Sequence, residues 1–151
     1  MIQRIQSIYL LVSAILGVIT LSTPLGYFCT AGGERYADLY NLWLRMTETN
    51  QHTLAPWALF AILLTVTTET FFNIFLFRQR ALQMRITSLS MILIVGYYIY
   101  FAFFAYMFKG DGTFTPSLTA ALPIVSLILD YLAFRGILKD ELLVKSLDRL
   151  R

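Results

Sequence analysis

The chain divides into long apolar runs separated by short stretches that carry most of its charge. The runs cover residues 5–26, 54–77, 86–108 and 117–135. A helix needs about 20 mostly apolar residues to cross the hydrocarbon core of a bilayer. In lipid, the backbone polar groups of such a run must be paired internally, which a helix achieves. The pattern therefore predicts an all-α membrane protein with four transmembrane helices.

Composition argues against the other architectures. Only 14% of the residues are charged, whereas soluble proteins carry about 25%. Strands of a membrane barrel alternate apolar and polar residues over about ten positions, but these runs are continuous. The sequence after Ser22 lacks a small-x-small cleavage pattern, so we expect the first helix to be an uncleaved anchor. The whole of 1–151 is expected to form a single four-helix domain.

The 12 basic residues are distributed unequally between the two ends of the predicted bundle. Nine share the end that carries both termini: Arg4, Arg78, Arg80, Arg85, Arg135, Lys139, Lys145, Arg149 and Arg151. Three lie at the other end: Arg35, Arg45 and Lys109. Basic residues beside transmembrane helices favour the cytoplasmic side. Both termini are therefore predicted to be cytoplasmic, and the net charge of +3 does not indicate nucleic-acid binding.

The first loop, residues 26–53, is the only large segment predicted outside the membrane on the side opposite the termini. Ala31-Gly32-Gly33 lies between two aromatic stretches, which suits a small β-hairpin. The alternative is an irregular loop whose Tyr36, Tyr40 and Trp43 rest at the membrane interface. Gly110-Asp111-Gly112 predicts a turn in the third loop, and Pro123 predicts a kink inside span four.

The tail, residues 136–151, contains no strong helix breaker after Gly136, and three leucines fall on one side of a helix. Glu141 and Lys145 add a favourable i, i+4 pair. We expect a cytoplasmic helix that either extends span four or lies on the membrane surface.

Cysteine and histidine each occur once, as Cys29 and His52. One cysteine excludes an internal disulfide or a Cys-x-x-Cys redox centre, and one histidine excludes bis-His haem ligation and the usual zinc sites within one chain. No catalytic, cofactor-binding or metal-binding residue is predicted, and the chain is expected not to be an enzyme.

Two acids, Glu69 and Asp130, fall inside predicted spans, and their environment decides between the candidate functions. A charged side chain at the centre of a membrane helix costs at least about 2.5–3.5 kcal/mol, so such acids must face the bundle, pair or bind a proton. Span one offers a stripe of polar and small residues that includes Gly17 and Thr20. Glu69 is expected to face the bundle and to form a hydrogen bond with a polar group of span one or with Asn73. The predicted intramembrane network comprises Gln6, Ser13, Thr65, Glu69, Asn73, Ser126 and Asp130. It is either a structural network or a proton- or cation-coupled site.

Span three carries a dense run of aromatic residues between Tyr97 and Phe108. We expect a belt facing lipid and the membrane interface. A ligand cage and a docking face for a partner helix are the alternatives.

Three segments carry a family resemblance: Met1-Ile2-Gln3-Arg4-Ile5-Gln6-Ser7-Ile8-Tyr9, Arg80-Ala81-Leu82-Gln83-Met84-Arg85 and residues 137–149. In their order and spacing the chain resembles a family of short bacterial four-span membrane proteins whose domain has no known function. All three segments would be cytoplasmic, which suggests a shared rim formed by Arg4, Arg80, Arg85, Lys139, Asp140, Glu141 and Arg149. Asn41-Leu42-Trp43 on a large first loop is also similar in architecture to claudin-type proteins, which use two cysteines in that loop where this chain has one.

The leading hypothesis is a non-enzymatic protein of the bacterial inner membrane that needs no cofactor. It would act as an accessory or structural subunit, and its partners would be the lipid bilayer and either further copies of itself or another membrane protein. The alternative is a small proton-coupled transporter that works as a dimer, with Glu69 and Asp130 as coupling acids.

Overall fold

The computed structural model describes residues 2–49, 51–76 and 79–148, without the side chains of residues 2–4 and 145–148. The helices are α1 (Ile2–Ser22), α2 (Trp57–Asn73), α3 (Arg80–Phe108) and α4 (Leu122–Asp148). The strands are β1 (Gly26–Cys29), β2 (Arg35–Leu39), β3 (Leu44–Met46), β4 (His52–Thr53) and β5 (Thr113–Pro116). Short 3-10 turns extend α2 at Ile74–Leu76 and precede α4 at Leu118–Ala121.

Four helical segments in the described part of the chain are long and apolar enough to cross a membrane. The helices form a bundle in which α1 packs against α2 and α4, and α3 packs against the same two helices. Their exposed surfaces are rich in large apolar side chains, as lipid contact requires. Examples are Ile8 on α1, Phe72 on α2, Ile92 on α3 and Ile128 on α4.

The helix ends differ from the predicted spans in ways that the sequence explains. Pro56 directly precedes α2, where its missing N–H costs little. α3 begins at Arg80, six residues before the predicted span, so the second loop is shorter than expected. The tail continues α4 without a break as far as Asp148, which is one of its two predicted forms.

Pro123 was expected to kink the interior of span four, but it lies at the start of α4. Pro123 is the second residue of α4, in the first helical turn, where a backbone N–H has no partner inside the helix. The apolar run before it forms the separate 3-10 turn. Proline therefore fits the start of this helix without breaking it.

A five-stranded antiparallel sheet caps one end of the bundle, so the predicted all-α fold is confirmed only for its four long apolar helices. The strand order is β4-β3-β2-β1-β5. The hairpin suggested for the first loop is present as β1 and β2, and Gly33 takes a positive φ of 84° in its turn. The first and third loops pair their backbone groups with one another in this one sheet. We call this end of the bundle the sheet end and the opposite end the termini end.

The sheet also includes a strand that was predicted only as loop. β5 comes from the segment between α3 and α4 and pairs along its length with β1. The turn predicted at Gly110-Asp111-Gly112 precedes it, with Gly110 at a φ of 53°. The two loops at this end are thus joined by backbone hydrogen bonds.

The main apolar core lies between the sheet and the helices. Its buried members are Leu25, Phe28, Ala37, Leu39, Leu44, Leu59, Leu63, Tyr97 and Phe104. The aromatic run of α3 was expected to face lipid, but much of it packs here. Tyr97 and Phe104 are buried, whereas Phe103 and Tyr106 are exposed. The run divides because neighbouring positions of a helix face different sides.

A buried asparagine joins the sheet to two helices. Asn41 lies between β2 and β3, and its Nδ2 donates a hydrogen bond to the backbone oxygen of Thr20 in the last turn of α1 (2.7 Å). Its Oδ1 accepts a hydrogen bond from the Tyr97 hydroxyl of α3 (2.8 Å). One amide therefore satisfies a carbonyl at a helix end and a buried phenol.

Small residues allow α1 to approach its neighbours closely. A Cβ atom at Gly17 would lie 2.4 Å from Thr67 Oγ1 on α2, and one at Gly136 would lie 2.9 Å from the Gln6 side chain. The stripe predicted on α1 does face the bundle, since Gln6, Ser13 and Thr20 are also buried. Close approach at small residues is a main source of helix association in lipid.

We expect Gly17→Ala to lower the free energy of unfolding by about 1–3 kcal/mol, because the new methyl group overlaps Thr67. Thermal unfolding in detergent would measure the loss. Gly96→Ala on α3 is the matched control, because a Cβ there meets nothing within 4 Å. Adding Thr67→Ala to Gly17→Ala should recover part of the loss. Equal losses for the two glycine variants would contradict the proposed contact.

Candidate functional site

Asp130 is the most unusual polar residue inside the bundle. It lies on α4 with no exposed surface, close to Ser13 of α1 and one turn from the buried Ser126. The Ser126 hydroxyl donates to the backbone oxygen of Ser13 at 3.4 Å. Neither carboxyl oxygen of Asp130 forms a well-aligned hydrogen bond with a described residue. A buried acid in this state costs stability, so it is a candidate for exchange of a proton.

Glu69 occupies a different interface. Its Oε2 accepts a hydrogen bond from the Ser90 hydroxyl of α3 at 3.4 Å, and the side chain is only half-buried. We expected a partner on span one or at Asn73, but α2 turns this position towards α3. Thr65 is exposed and its hydroxyl bonds to the Ala61 carbonyl of its own helix.

Asn73 belongs to a third polar contact, which joins the ends of α2 and α3. Its Nδ2 donates to Thr87 Oγ1 at 2.8 Å, and Gln83 Nε2 donates to the Asn73 backbone oxygen at 3.2 Å. All three side chains are buried. This arrangement satisfies a carbonyl in the last turn of α2 and holds the tight connection between the two helices.

Gln6 lies in a fourth contact, at the termini end. Its Nε2 donates to Asp140 Oδ2 at 3.0 Å, and Arg80 Nη1 lies 3.4 Å from the Asp140 backbone oxygen. These bonds bring parts of the three family-like segments together. Arg85 and Lys139 are exposed at the same end, and Glu141 is half-buried. The Arg4 side chain and Arg149 lie outside what the structure describes.

The predicted network is thus distributed over several separate helix interfaces. Ser13, Ser126 and Asp130 come together between α1 and α4, while Glu69 and Asn73 contact α3. Glu69 and Asp130 do not share a site through any described contact. The sequence identified most of these positions as facing the bundle, but helical spacing alone does not specify which neighbour each one meets.

A groove between α1 and α2 was not predicted. Its volume is about 480 Å³, and it opens on the apolar outer surface of the bundle. Its lining consists of Leu11, Ala14, Ile15, Val18, Ile19, Leu21, Leu64, Thr67, Thr68 and Phe71. The Gly17–Thr67 contact brings the two helices together beneath it. Gly17, which lies in the predicted α1 stripe, was the sequence signal for this groove. The groove also depends on the small residues of α2.

The described residues contain no group of three or more histidine, cysteine or acidic side chains placed to hold a metal ion. Cys29 lies on β1, which is paired on both sides, and His52 lies on the edge strand β4, where its ring meets Trp43 edge-on. The features that invite a functional explanation are therefore Asp130 and the apolar groove.

No curated protein matches the chain. A family described as a domain of unknown function (DUF4293) matches residues 2–150, nearly the whole sequence. The resemblance to a family without known function is confirmed, and the chain belongs to the DUF4293 family.

Proposed function

We propose that this chain is a non-enzymatic integral protein of the bacterial inner membrane, where it serves as an accessory or structural subunit of a membrane assembly. The observation that carries the proposal is the groove between α1 and α2. It lies in the surface that meets lipid, so a second transmembrane segment can enter it sideways. The natural occupant is a helix of a partner membrane protein.

The chemistry of the groove suits helix packing. Ala14, Thr67 and Thr68 are small and lie between larger apolar side chains. Small residues let helix backbones approach closely, and this contact replaces the hydrophobic driving force that lipid does not provide. The lining of α1 runs from Leu11 to Leu21, which corresponds to about 15 Å of helix. This covers half of a hydrocarbon core of about 30 Å.

The same proposal includes an orientation. The described basic residues at the termini end include Arg80, Arg85, Arg135 and Lys139, whereas Arg35, Arg45 and Lys109 belong to the sheet end. With the basic residues near both chain ends, this asymmetry favours cytoplasmic termini. The sheet would then stand on the extracytoplasmic surface, fixed to the bundle through Asn41.

Proton-coupled transport by a dimer is the second candidate, and the observation that favours it is Asp130. A fully buried acid that has Ser13 beside it, and no well-aligned hydrogen bond to a described residue, can bind and release a proton during transport. Glu69 supports this function less well, because it contacts Ser90 at another interface. A coupling site would therefore depend on Asp130, with Ser13 and Ser126 beside it.

Orientation can be tested with single cysteines in a Cys29→Ser background. A membrane-impermeant maleimide should label Glu48→Cys in intact cells, because Glu48 is exposed at the sheet end. It should label Ser146→Cys, near the end of α4, only after the cells are permeabilised. Labelling of position 146 in intact cells would contradict the orientation.

Occupation of the groove can be tested with a photoreactive amino acid at Val18, with Val95 on the exposed face of α3 as the matched control. Position 18 should form one discrete protein crosslink, and position 95 should react with lipid. Val18→Trp should reduce the partner's affinity by about tenfold, or about 1.4 kcal/mol, while Val95→Trp should not. Lipid adducts alone at both positions would contradict the subunit proposal.

The two candidate functions differ in the expected behaviour of Asp130→Asn. Asparagine has nearly the same shape but cannot exchange a proton. If the protein is a structural subunit, wild type and variant in vesicles should both leave an internal pH dye unchanged. Glu69→Gln serves as the control at the other acid. Proton flux in the wild type that Asp130→Asn abolishes and Glu69→Gln preserves would overturn the subunit proposal and establish Asp130 as the coupling acid.

A further inference from the structure

A second pocket lies at the termini end, on α4. It encloses about 440 Å³. It is lined by Leu132, Arg135, Gly136, Leu138, Lys139 and Leu142. None of these residues takes part in the proposed α1–α2 groove, so the pocket is independent of the subunit proposal.

The charge of this pocket is positive. Arg135 and Lys139 are one helical turn apart and therefore project to the same side of α4, and both are exposed. The nearest acid in sequence, Asp140, points elsewhere, because its carboxylate accepts a hydrogen bond from Gln6 of α1. Neither Asp140 nor Glu141 lines the pocket. Two cations thus face the opening with no acidic side chain in the lining.

The walls of the pocket are apolar although they are exposed. Leu132, Leu138 and Leu142 are 40%, 38% and 58% exposed, respectively. In water, a cluster of exposed leucines beside two cations would be unfavourable. The combination suits a ligand with a negative head and an apolar body.

The depth of the pocket indicates where such a ligand would come from. Arg135 lies about 28 Å along the helix axis from Leu118, the exposed residue at the start of this apolar segment. That distance is close to the thickness of the hydrocarbon core, about 30 Å. Lys139 lies about 6 Å further along, among lipid headgroups. Leu132, which precedes Arg135 on α4, therefore faces acyl chains near the interface, and the cations face phosphates.

We propose that this pocket binds an anionic phospholipid of the bilayer. The Arg135 guanidinium and the Lys139 ammonium would contact the phosphate oxygens, and Leu132 would contact the upper part of an acyl chain. Leu138 and Leu142 would flank the headgroup. Gly136 allows the Gln6 side chain of α1 to pack closely against α4 at this level. The two cations come from one helix, so their backbone positions are fixed one turn apart before the lipid arrives.

The test uses the full-length protein in a neutral detergent, titrated with phosphatidylglycerol or phosphatidylcholine and followed by native mass spectrometry. Phosphatidylglycerol should bind more tightly than phosphatidylcholine. Affinity for the anionic lipid should fall by about fivefold in Arg135→Gln or Lys139→Gln and about 25-fold in the double variant. Arg85→Gln is the matched control, because it removes an exposed charge at the same end from α3.

A charge-conserving double variant, Arg135→Lys with Lys139→Arg, should retain most of the affinity, because lipid binding depends on the two charges and not on the shape of each side chain. Excess inorganic phosphate should not displace the lipid, because it lacks the apolar part. Equal weakening by Arg85→Gln and Arg135→Gln would overturn the proposal in favour of diffuse surface attraction. Equal binding of the two lipids would also overturn it. Thermal unfolding of each variant distinguishes lost binding from a lost fold.

Discussion

The hydrogen bonds of Asn41 are the constraint on which the relation between sheet and bundle depends. A short loop between β2 and β3 carries a fully buried amide into the space between α1 and α3. Each buried polar group left without its partner costs about 1–3 kcal/mol. The Thr20 carbonyl and the Tyr97 hydroxyl therefore both favour the position of the sheet in which Asn41 reaches them. Since α1 and α3 are opposite members of the bundle, one residue fixes the sheet against both.

Between the helices, polar contacts and small residues provide the stabilisation that hydrophobic burial provides in water. Lipid solvates an apolar helix face as well as another helix does, so association needs close packing and interhelical hydrogen bonds. Asn73 with Thr87, Gln6 with Asp140, and Gly17 against Thr67 supply these at three interfaces. Most polar residues that the sequence marks as a candidate site are thereby accounted for by structure alone.

The sequence predicted four long apolar helices because a bilayer imposes a length and a composition that can be counted directly. It also predicted the β1–β2 hairpin as one of two forms, from a glycine turn between aromatic stretches. It could not predict β5, whose partner β1 lies more than 80 positions away in the chain. Nor could it place Glu69 against Ser90, since a rotation of α2 about its axis changes its neighbours without changing the spacing of its residues.

Asp130 is the polar residue that these structural contacts do not explain. Gln6, Asn73 and Glu69 each form a hydrogen bond to another helix, whereas both carboxyl oxygens of Asp130 are buried without one among the described residues. A leucine there would avoid this cost. When a sequence retains an unfavourable group that stability does not require, function is the usual reason. The bundle therefore offers two separable features, an apolar groove suited to assembly and a buried acid suited to chemistry, and they lie on opposite sides of α1.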